Sequence, residues 1–332
     1  MNLLILLSFP ISFSITYWLT YKWIRVAMKA NIVGKDLNKM GMPTIPEMGG
    51  VPVIGGVLGG LLYYVALNTF FLNQMRYNIY VLGAMATALM ISIIGILDDT
   101  LGWKIGLSKI QKPLLTIPAA IPIMVINAGV TSISLPIVGY VNLGPLYPIL
   151  LVPVGIVGAS NAFNMLAGYN GLECGMGIII LLAISTACYL TGSSWVAVMG
   201  GVLISALMAF LIFNWYPAKI FPGNAFTYLV GAMIAVLAIF GNVEKLALIL
   251  FIPYYLDFLL PLRKRMNVEA YAKVNPDGSL DLPYEGIYDV THIFIKIIKG
   301  VKGKVYEKDV VIGILVTEAL ISLAGMAIYF WK

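Results

Sequence analysis

The sequence predicts an all-α integral membrane protein, a single polytopic domain over residues 1–332 with about ten transmembrane helices and both termini outside. Three observations carry this. Hydrophobic residues make up 60% of the chain and charged residues 11%, where a soluble domain carries about a quarter charged. The mean hydropathy is +0.93. The apolar residues fall into stretches near the ~20 residues that cross a ~30 Å hydrocarbon layer. The same composition excludes disorder, a coiled coil and a disulfide scaffold. The 33 glycines and 12% aromatics suit helices rather than a barrel. Cys174 and Cys188 lie in or beside an apolar run and say nothing of redox compartment.

In chain order the stretches cover 3–21, 51–72, 80–97, 113–130, 146–163, 175–192, 195–213, 225–240, 246–262 and 310–330. No positive segment precedes the first and no small-residue cleavage site stands out, so a retained helix is expected rather than a signal peptide. Pro118 and Pro122 blur the fourth, and the eighth is short. With ten crossings, every Lys and Arg of the 21 except Arg76, Lys245 and Lys332 falls in the loops of one face. The positive-inside rule makes that face cytoplasmic. The net charge of +6 therefore reports loop position, not nucleic-acid binding. Residues 127–148 are uncharged, and 131–135 with 138–143 alternate weakly, which predicts a small outer hairpin. The long cytoplasmic loop 263–309 predicts a small mixed segment: strands at 268–274 and 280–282 about the turn Asn275-Pro276-Asp277-Gly278, then an interfacial helix over 290–299. No repeat relates the two halves.

The polar clusters all sit on the cytoplasmic side, with Asp257 and Glu318 as the midplane exceptions. Asp98-Asp99 follows the run 91–97. Paired carboxylates there suit Mg²⁺ together with substrate phosphates, or a solvated helix end. In NAFNMLAGYNGLE, Asn161 and Asn164 are three apart and share a helix face. Their amides can hold a metal or a sugar hydroxyl, or bond a neighbouring helix. Gly168 and Gly171 break that helix, with Asn170 and Glu173 in the turn. In NWYPAKIFPGNAF, Pro217, Pro222 and Gly223 shape a loop whose Phe221 can stack on a flat base, while Trp215 and Tyr216 also fit interface anchors. Arg263-Lys264-Arg265 reads as a phosphate clamp or a stop-transfer cluster. GKDLNKMGMPTIPEMGG sets Asp36, Asn38 and Glu47 among glycines and prolines. His292, the single histidine, is expected on the surface of its helix. Together these groups suit phosphoryl transfer, where cations neutralise charge and the rest is positioning. Ten helices suit a lipid phosphate, whose tail can lie between them. A lipid-phosphate transporter is the rival of another class; it needs midplane polar groups, and only Asp257 and Glu318 serve.

GKDLNK with Ile45 to Glu47, GILDDT at 95–100, NAFNMLAGYNGLE, FNWYPAKIFPGNAF and RKR resemble, in order and along nearly the whole chain, the polyprenyl-phosphate N-acetylhexosamine-1-phosphate transferases. They look most like the eukaryotic and archaeal branch that begins N-glycan assembly. The bacterial muramyl-pentapeptide branch has aspartates where this chain has Ala167 and Asn170. The resemblance implies transfer of GlcNAc-1-phosphate from UDP-GlcNAc to dolichyl or another polyprenyl phosphate, or the same reaction with another UDP-N-acetylhexosamine. It implies Asp98, Asp99 and Lys112 as catalytic groups, with Lys109 the alternative lysine. It implies Mg²⁺ (or Mn²⁺) on Asn164 and Asn224, the latter standing where the family has Asp. Substrate contacts carry over to Leu37, Glu47, Asn161, Asn170, Phe221, Arg263, Lys264 and Arg265, with Lys264 in place of the eukaryotic histidine. It implies a homodimer. Phe330-Trp331-Lys332 resembles no endoplasmic-reticulum retention signal, which predicts an archaeal plasma membrane.

Overall fold

The computed structural model describes residues 2–105, 108, 110–135 and 139–331. After a 3-10 turn (Leu3–Leu7), α1 (Ser8–Lys29) runs on past the expected end at 21, so Lys22, Arg25 and Lys29 ride on helix. β1 (Val33–Lys35) and β2 (Thr44–Pro46) pair antiparallel in the first loop, a hairpin the sequence pattern did not announce. α2 (Gly50–Phe70) and α3 (Asn78–Ile105) follow. α3 corrects one expectation: Asp98 and Asp99 lie inside the helix, not beyond its exit. Aspartate tends to end helices by competing for backbone groups, but both carboxylates here bind laterally and leave the ladder intact.

The fourth segment is α4 (Gln111–Thr116), a 3-10 turn (Ile117–Ala120) and α5 (Ile121–Val125). Pro118 and Pro122 each withdraw an N–H donor, so the helix tightens and restarts. β3 (Ser132–Leu135) and β4 (Gly139–Asn142) form the expected outer hairpin; Val138 and Lys109 lie outside the described residues. A π turn (Tyr147–Leu151) leads into α6 (Val152–Phe163). Then come α7 (Leu172–Leu190), α8 (Ser194–Asn214), α9 (Gly223–Gly241), and α10 (Glu244–Leu250) with α11 (Ile252–Leu262), bent by 51° at their junction, which Pro253 follows. β5 (Lys273–Val274) and β6 (Leu280–Asp281) flank the Asn275–Gly278 turn, and α12 (Val290–Lys302) precedes α13 (Glu307–Phe330).

Among the described residues, seven helices are long and apolar enough to cross a membrane, or eight with α10 and α11 as one bent span. The stretches 113–130 and 146–163 do not reach that standard: the first is proline-interrupted, and the second is the shorter helix Tyr147–Phe163. α9 is apolar around its whole circumference and buried along nearly all its length, as expected of a central helix. α2, α3, α6, α7, α8 and α10 pack on it. The loops before α2, before α7 and before α9, and the one after α11, gather at one end and bond to each other: Phe221 N to Pro46 O at 2.8 Å, Asn38 Nδ2 to Gly168 O at 3.1 Å and Ala272 N to Asn38 Oδ1 at 3.1 Å. At the opposite end Tyr77 stacks on Trp195 at 4.7 Å, and Tyr147 bonds Glu244.

Candidate active site

Two glycines bring three helices to one place. A methyl group on Gly95 of α3 would sit 2.4 Å from the Ala225 Cα of α9. That is a backbone-to-backbone approach no side chain could share. Asp99 lies one turn further along the same face of α3. There it caps α9, accepting the Asn224 N–H on Oδ1 at 2.8 Å and the Ala225 N–H on Oδ2 at 3.1 Å. Asp98 is 3% exposed. Its Oδ2 holds the Lys112 ammonium at 2.8 Å and accepts the Tyr228 hydroxyl at 3.3 Å. The adjacent acids thus have separate duties, one toward a lysine and one toward a helix N-terminus.

Gly231 does for α6 what Gly95 does for α3: a methyl there would meet Ala159 O at 2.4 Å. One turn back along α9, Thr227 donates to Asn164 Oδ1 at 2.6 Å, and its hydroxyl also reaches Asn224 O at 3.2 Å. Asn164, Thr227, Asn224 and Asp99 are therefore contiguous. The Asp99 carboxylate and the Asn164 amide oxygen are hard donors, each with a second lone pair that a hard cation can use, and the carboxylate supplies the negative charge such a cation needs beside a helix N-terminus. Asn161 sends its amide elsewhere, to Thr116 Oγ1 at 3.1 Å and Val157 O at 2.9 Å.

An apolar groove of about 950 Å³ opens on this cluster. Lys112, Asn161 and Asn164 stand at one end. Leu151, Val154, Ile234, Ala238, Phe251 and Phe258 line its walls, and Tyr147, Glu244 and Lys245 close the other end. It runs between α6, α9 and the bent α10–α11 pair.

On the other side of α9, Phe221 is held by its backbone, donating to Pro46 O and accepting the Gly49 N–H at 2.9 Å. Glu47 presses on Gly34, where no Cβ would fit, and its charge is felt at Asp99. Burial raises the Glu47 carboxyl above its usual range. Leu37 sits between Asp36 and Asn38, both buried and bonded to other loops. Asn170, expected to face a ligand, is 3% exposed and turned into the protein. It donates to Glu307 and Asp36 and accepts from Lys39 and Ala218. Arg263, Lys264 and Arg265 are exposed beyond α11. Arg263 donates to Ile287 O and lies 5.5 Å from the Tyr288 ring, with Lys264 at 5.8 Å. Tyr288 and the neighbouring Pro261 and Met266 line the groove that opens on the Asp98 cluster.

Thr227, Tyr228, Lys39 and Glu307 were not singled out from sequence. Thr227 and Tyr228 could have been, since they lie three and four residues past Asn224 on one helix face. His292 corrects an expectation. It is fully buried, its Nδ1 accepting the Tyr288 N–H at 3.3 Å, because it shares a face with Ile295. Asp257 is also accounted for: it is buried and accepts the Val290 N–H at 3.0 Å, which ties α11 to the start of α12.

Residues 81–242 match glycosyl transferase family 4. A Saccharolobus solfataricus protein provisionally named UDP-N-acetylglucosamine–dolichyl-phosphate N-acetylglucosaminephosphotransferase is 38% identical over 328 residues, covering 98% of this chain and 96% of its own. The enzyme of that name from Dictyostelium discoideum is 27% identical over 363 residues, 94% of this chain and 86% of its own. The phospho-N-acetylmuramoyl-pentapeptide-transferase of Streptococcus equi subsp. zooepidemicus is 31% identical over 268 residues, 76% of this chain and 78% of its own. With one relative aligned from end to end and the family's core matched across the helices that build the site, this chain belongs to glycosyl transferase family 4.

Proposed function

We propose that the protein transfers GlcNAc-1-phosphate from UDP-GlcNAc to dolichyl or another polyprenyl phosphate and releases UMP, the first membrane step in assembling an N-glycan on a lipid. The observation that carries this is the groove. It is an apolar slot between helices that ends on Lys112 and Asn164, next to the Asp98 carboxylate. An isoprenoid tail fits the slot and leaves its phosphate at the polar end.

In the reaction a lipid phosphate oxygen attacks the β-phosphorus of UDP-GlcNAc in line. The new O–P bond forms as the bond to the α-phosphate oxygen breaks, and UMP departs. Lys112, fixed by Asp98, neutralises charge on the attacking phosphate. Asp99 anchors the first turn of α9 and so fixes Asn224 and Thr227. Asn164 and Asn224 are the groups that would hold Mg²⁺, or Mn²⁺, which supplies charge neutralisation on the diphosphate. Phe221 and the Leu37 segment form the base side. Glu47 borders it, Asn161 borders the acceptor side, and Arg263, Lys264 and Arg265 face the diphosphate and sugar.

For the membrane we infer ten crossings with both ends outside. The two interrupted stretches at 113–130 and 146–163 complete the set, and the mutual bonding of the loops before α2, α7 and α9 supports the alternation. The site then faces the cytoplasm of an archaeal plasma membrane, in a homodimer.

Purified protein incubated with UDP-GlcNAc, dolichyl phosphate and Mg²⁺ should release UMP and form a lipid-linked diphosphate sugar. No UMP release from an intact, folded preparation overturns the reading. Initial rates with UDP-GalNAc and other UDP-hexosamines identify the donor.

A further inference from the structure

We propose that Glu307, the first residue of α13, is a positioning residue for the nucleotide side of the site, acting through Lys39 and Asn170. The proposal rests on the transferase reading and adds to it a part for the last helix, none of whose described residues lines the groove.

One ammonium and one amide join four segments. Lys39 Nζ donates to Asp36 and to Asn170 Oδ1, lies 3.2 Å from Glu307 Oε2 and stands 4.7 Å from the Tyr216 ring. Lys308 of α13 approaches the same ring at 4.7 Å. Asn170 gives its backbone N–H to Glu307 Oε1 at 2.7 Å and its side-chain amide to Asp36 Oδ2 at 3.2 Å. Its Oδ1 also accepts the Ala218 N–H at 2.8 Å. The segments so tied carry Leu37, the turn after Asn164, and Phe221. Asn38 to Gly168 and Phe221 to Pro46 also join these segments; the knot is what ties α13 to all of them.

The knot is not what stability alone would select. Asp36 and Glu307 are each 3% exposed, and among the described residues Lys39 is the ammonium paired with both. Two desolvated carboxylates facing one cation cost more than an apolar contact of the same size. What the arrangement does supply is direction. Glu307 Oε1 takes the Asn170 N–H, Asp36 Oδ2 takes Lys39 and the Asn170 amide, and Glu307 Oε2 faces the same ammonium, so the loops are directed toward one geometry. If the charge on Glu307 is removed, Lys39 is left to Asp36 and Asn170, and the turn at 168–171 can shift relative to Phe221.

The test is a steady-state and binding comparison of Glu307→Gln, Glu307→Asp, Lys39→Met, Lys39→Arg and the double variant Lys39→Met/Glu307→Gln. Glu307→Gln and Lys39→Met should raise KM for UDP-GlcNAc, and its Kd measured by calorimetry, by about tenfold, the scale of one lost charge-assisted hydrogen bond. The maximal rate should stay within about threefold, and KM for dolichyl phosphate should not move, because the groove lies across α9. Lys39→Arg should recover most of the affinity. The double variant should lose less than the product of the single losses, since the two residues act on one knot. Glu307→Asp keeps the charge but retracts the oxygens, and should show the same KM-selective defect. Unchanged nucleotide affinity in both single variants overturns the proposal. So does a fall in maximal rate with both KM values intact, which is what loss of folded protein produces. If the wild-type protein neither binds UDP-GlcNAc nor releases UMP, the transferase reading itself has failed, and the wild-type control shows it.

Discussion

Asp99 accepts the backbone N–H of Asn224 at 2.8 Å, so the first turn of α9 is held in place by a carboxylate from α3. The cap predicts a graded series. Asp99→Ala removes both acceptors from the first turn of α9 and should cost about 0.5–2 kcal/mol of stability. Transfer should fall on the order of 100-fold, as expected when reacting groups are misplaced by an ångström. Asp99→Asn keeps one acceptor oxygen but turns an amide N–H₂ toward the other donor, so its thermal midpoint should lie between wild type and alanine. UMP release and thermal unfolding in detergent check both parts. A wild-type rate in Asp99→Ala removes Asp99 from the site.

Asn224→Asp should have two opposed effects. A second carboxylate beside Asp99 adds charge to the cation site, so half-saturating Mg²⁺ should fall by about tenfold. Without metal the same charge faces Asp99 and Glu47, and the variant should unfold at lower temperature in EDTA than wild type does. Initial rates over a Mg²⁺ titration, with melting curves in EDTA, separate the two. An unmoved Mg²⁺ requirement means that Asn224 is no ligand.

The contrast between these residues and the knot at Lys39 shows what a sequence carries. Asp98, Asp99 and Asn164 stand out because each sits in a short local pattern with an unusual polarity for a membrane edge, whereas Asn224 stands out only through the family resemblance. Their partners do not. Thr227 and Asn164 meet where Gly95 and Gly231 let three helices touch, Glu307 reaches Asn170 from a separate helix, and no local period encodes which distant N–H a carboxylate will find. Asn170 reads as a ligand group through the family resemblance, yet its backbone N–H, its side-chain oxygen and one amide N–H are engaged by the fold. The membrane class and the outer hairpin followed from hydropathy and alternation. The hairpin of β1 and β2 did not, because three-residue strands carry too few side chains to show a period.

Burial lowers the His292 imidazole below its ordinary value, which makes the anchoring of α12 depend on pH. The neutral ring is favoured in the folded protein, so its contribution is complete above the unfolded value of ~6.5. It is lost as pH falls from there toward the depressed folded value, because the unfolded segment takes up a proton that the folded one refuses. Asp289, which faces the ring, opposes the shift without reversing it. Protection factors of residues 288–295, taken relative to intrinsic exchange at each pH, should therefore fall between pH 7.5 and 5.5 in the wild type and change less in His292→Gln. Equal pH dependence in both would leave the histidine without this part.

The groove makes the most selective prediction. Gly158 lines it, and a Cβ placed there would meet no atom within 4 Å. Gly158→Phe should thus project its ring into the slot without disturbing the helices that form it. Replacing a mid-helix glycine also favours α6 by a few tenths to about 1 kcal/mol, so the variant should melt no lower than wild type. The ring displaces part of the acceptor's tail. At ~0.8 kcal/mol for each buried methylene, two displaced groups weaken acceptor binding by about tenfold. KM for dolichyl phosphate should rise by that factor, while KM for UDP-GlcNAc, whose base contacts lie across α9 and whose diphosphate contacts lie at the polar end away from Gly158, stays fixed. A short-chain polyprenyl phosphate whose tail ends before Gly158 should be used equally by both proteins. If long and short acceptors lose affinity alike, the tail does not run along α6, and the cavity that supports the proposed reaction must serve something else.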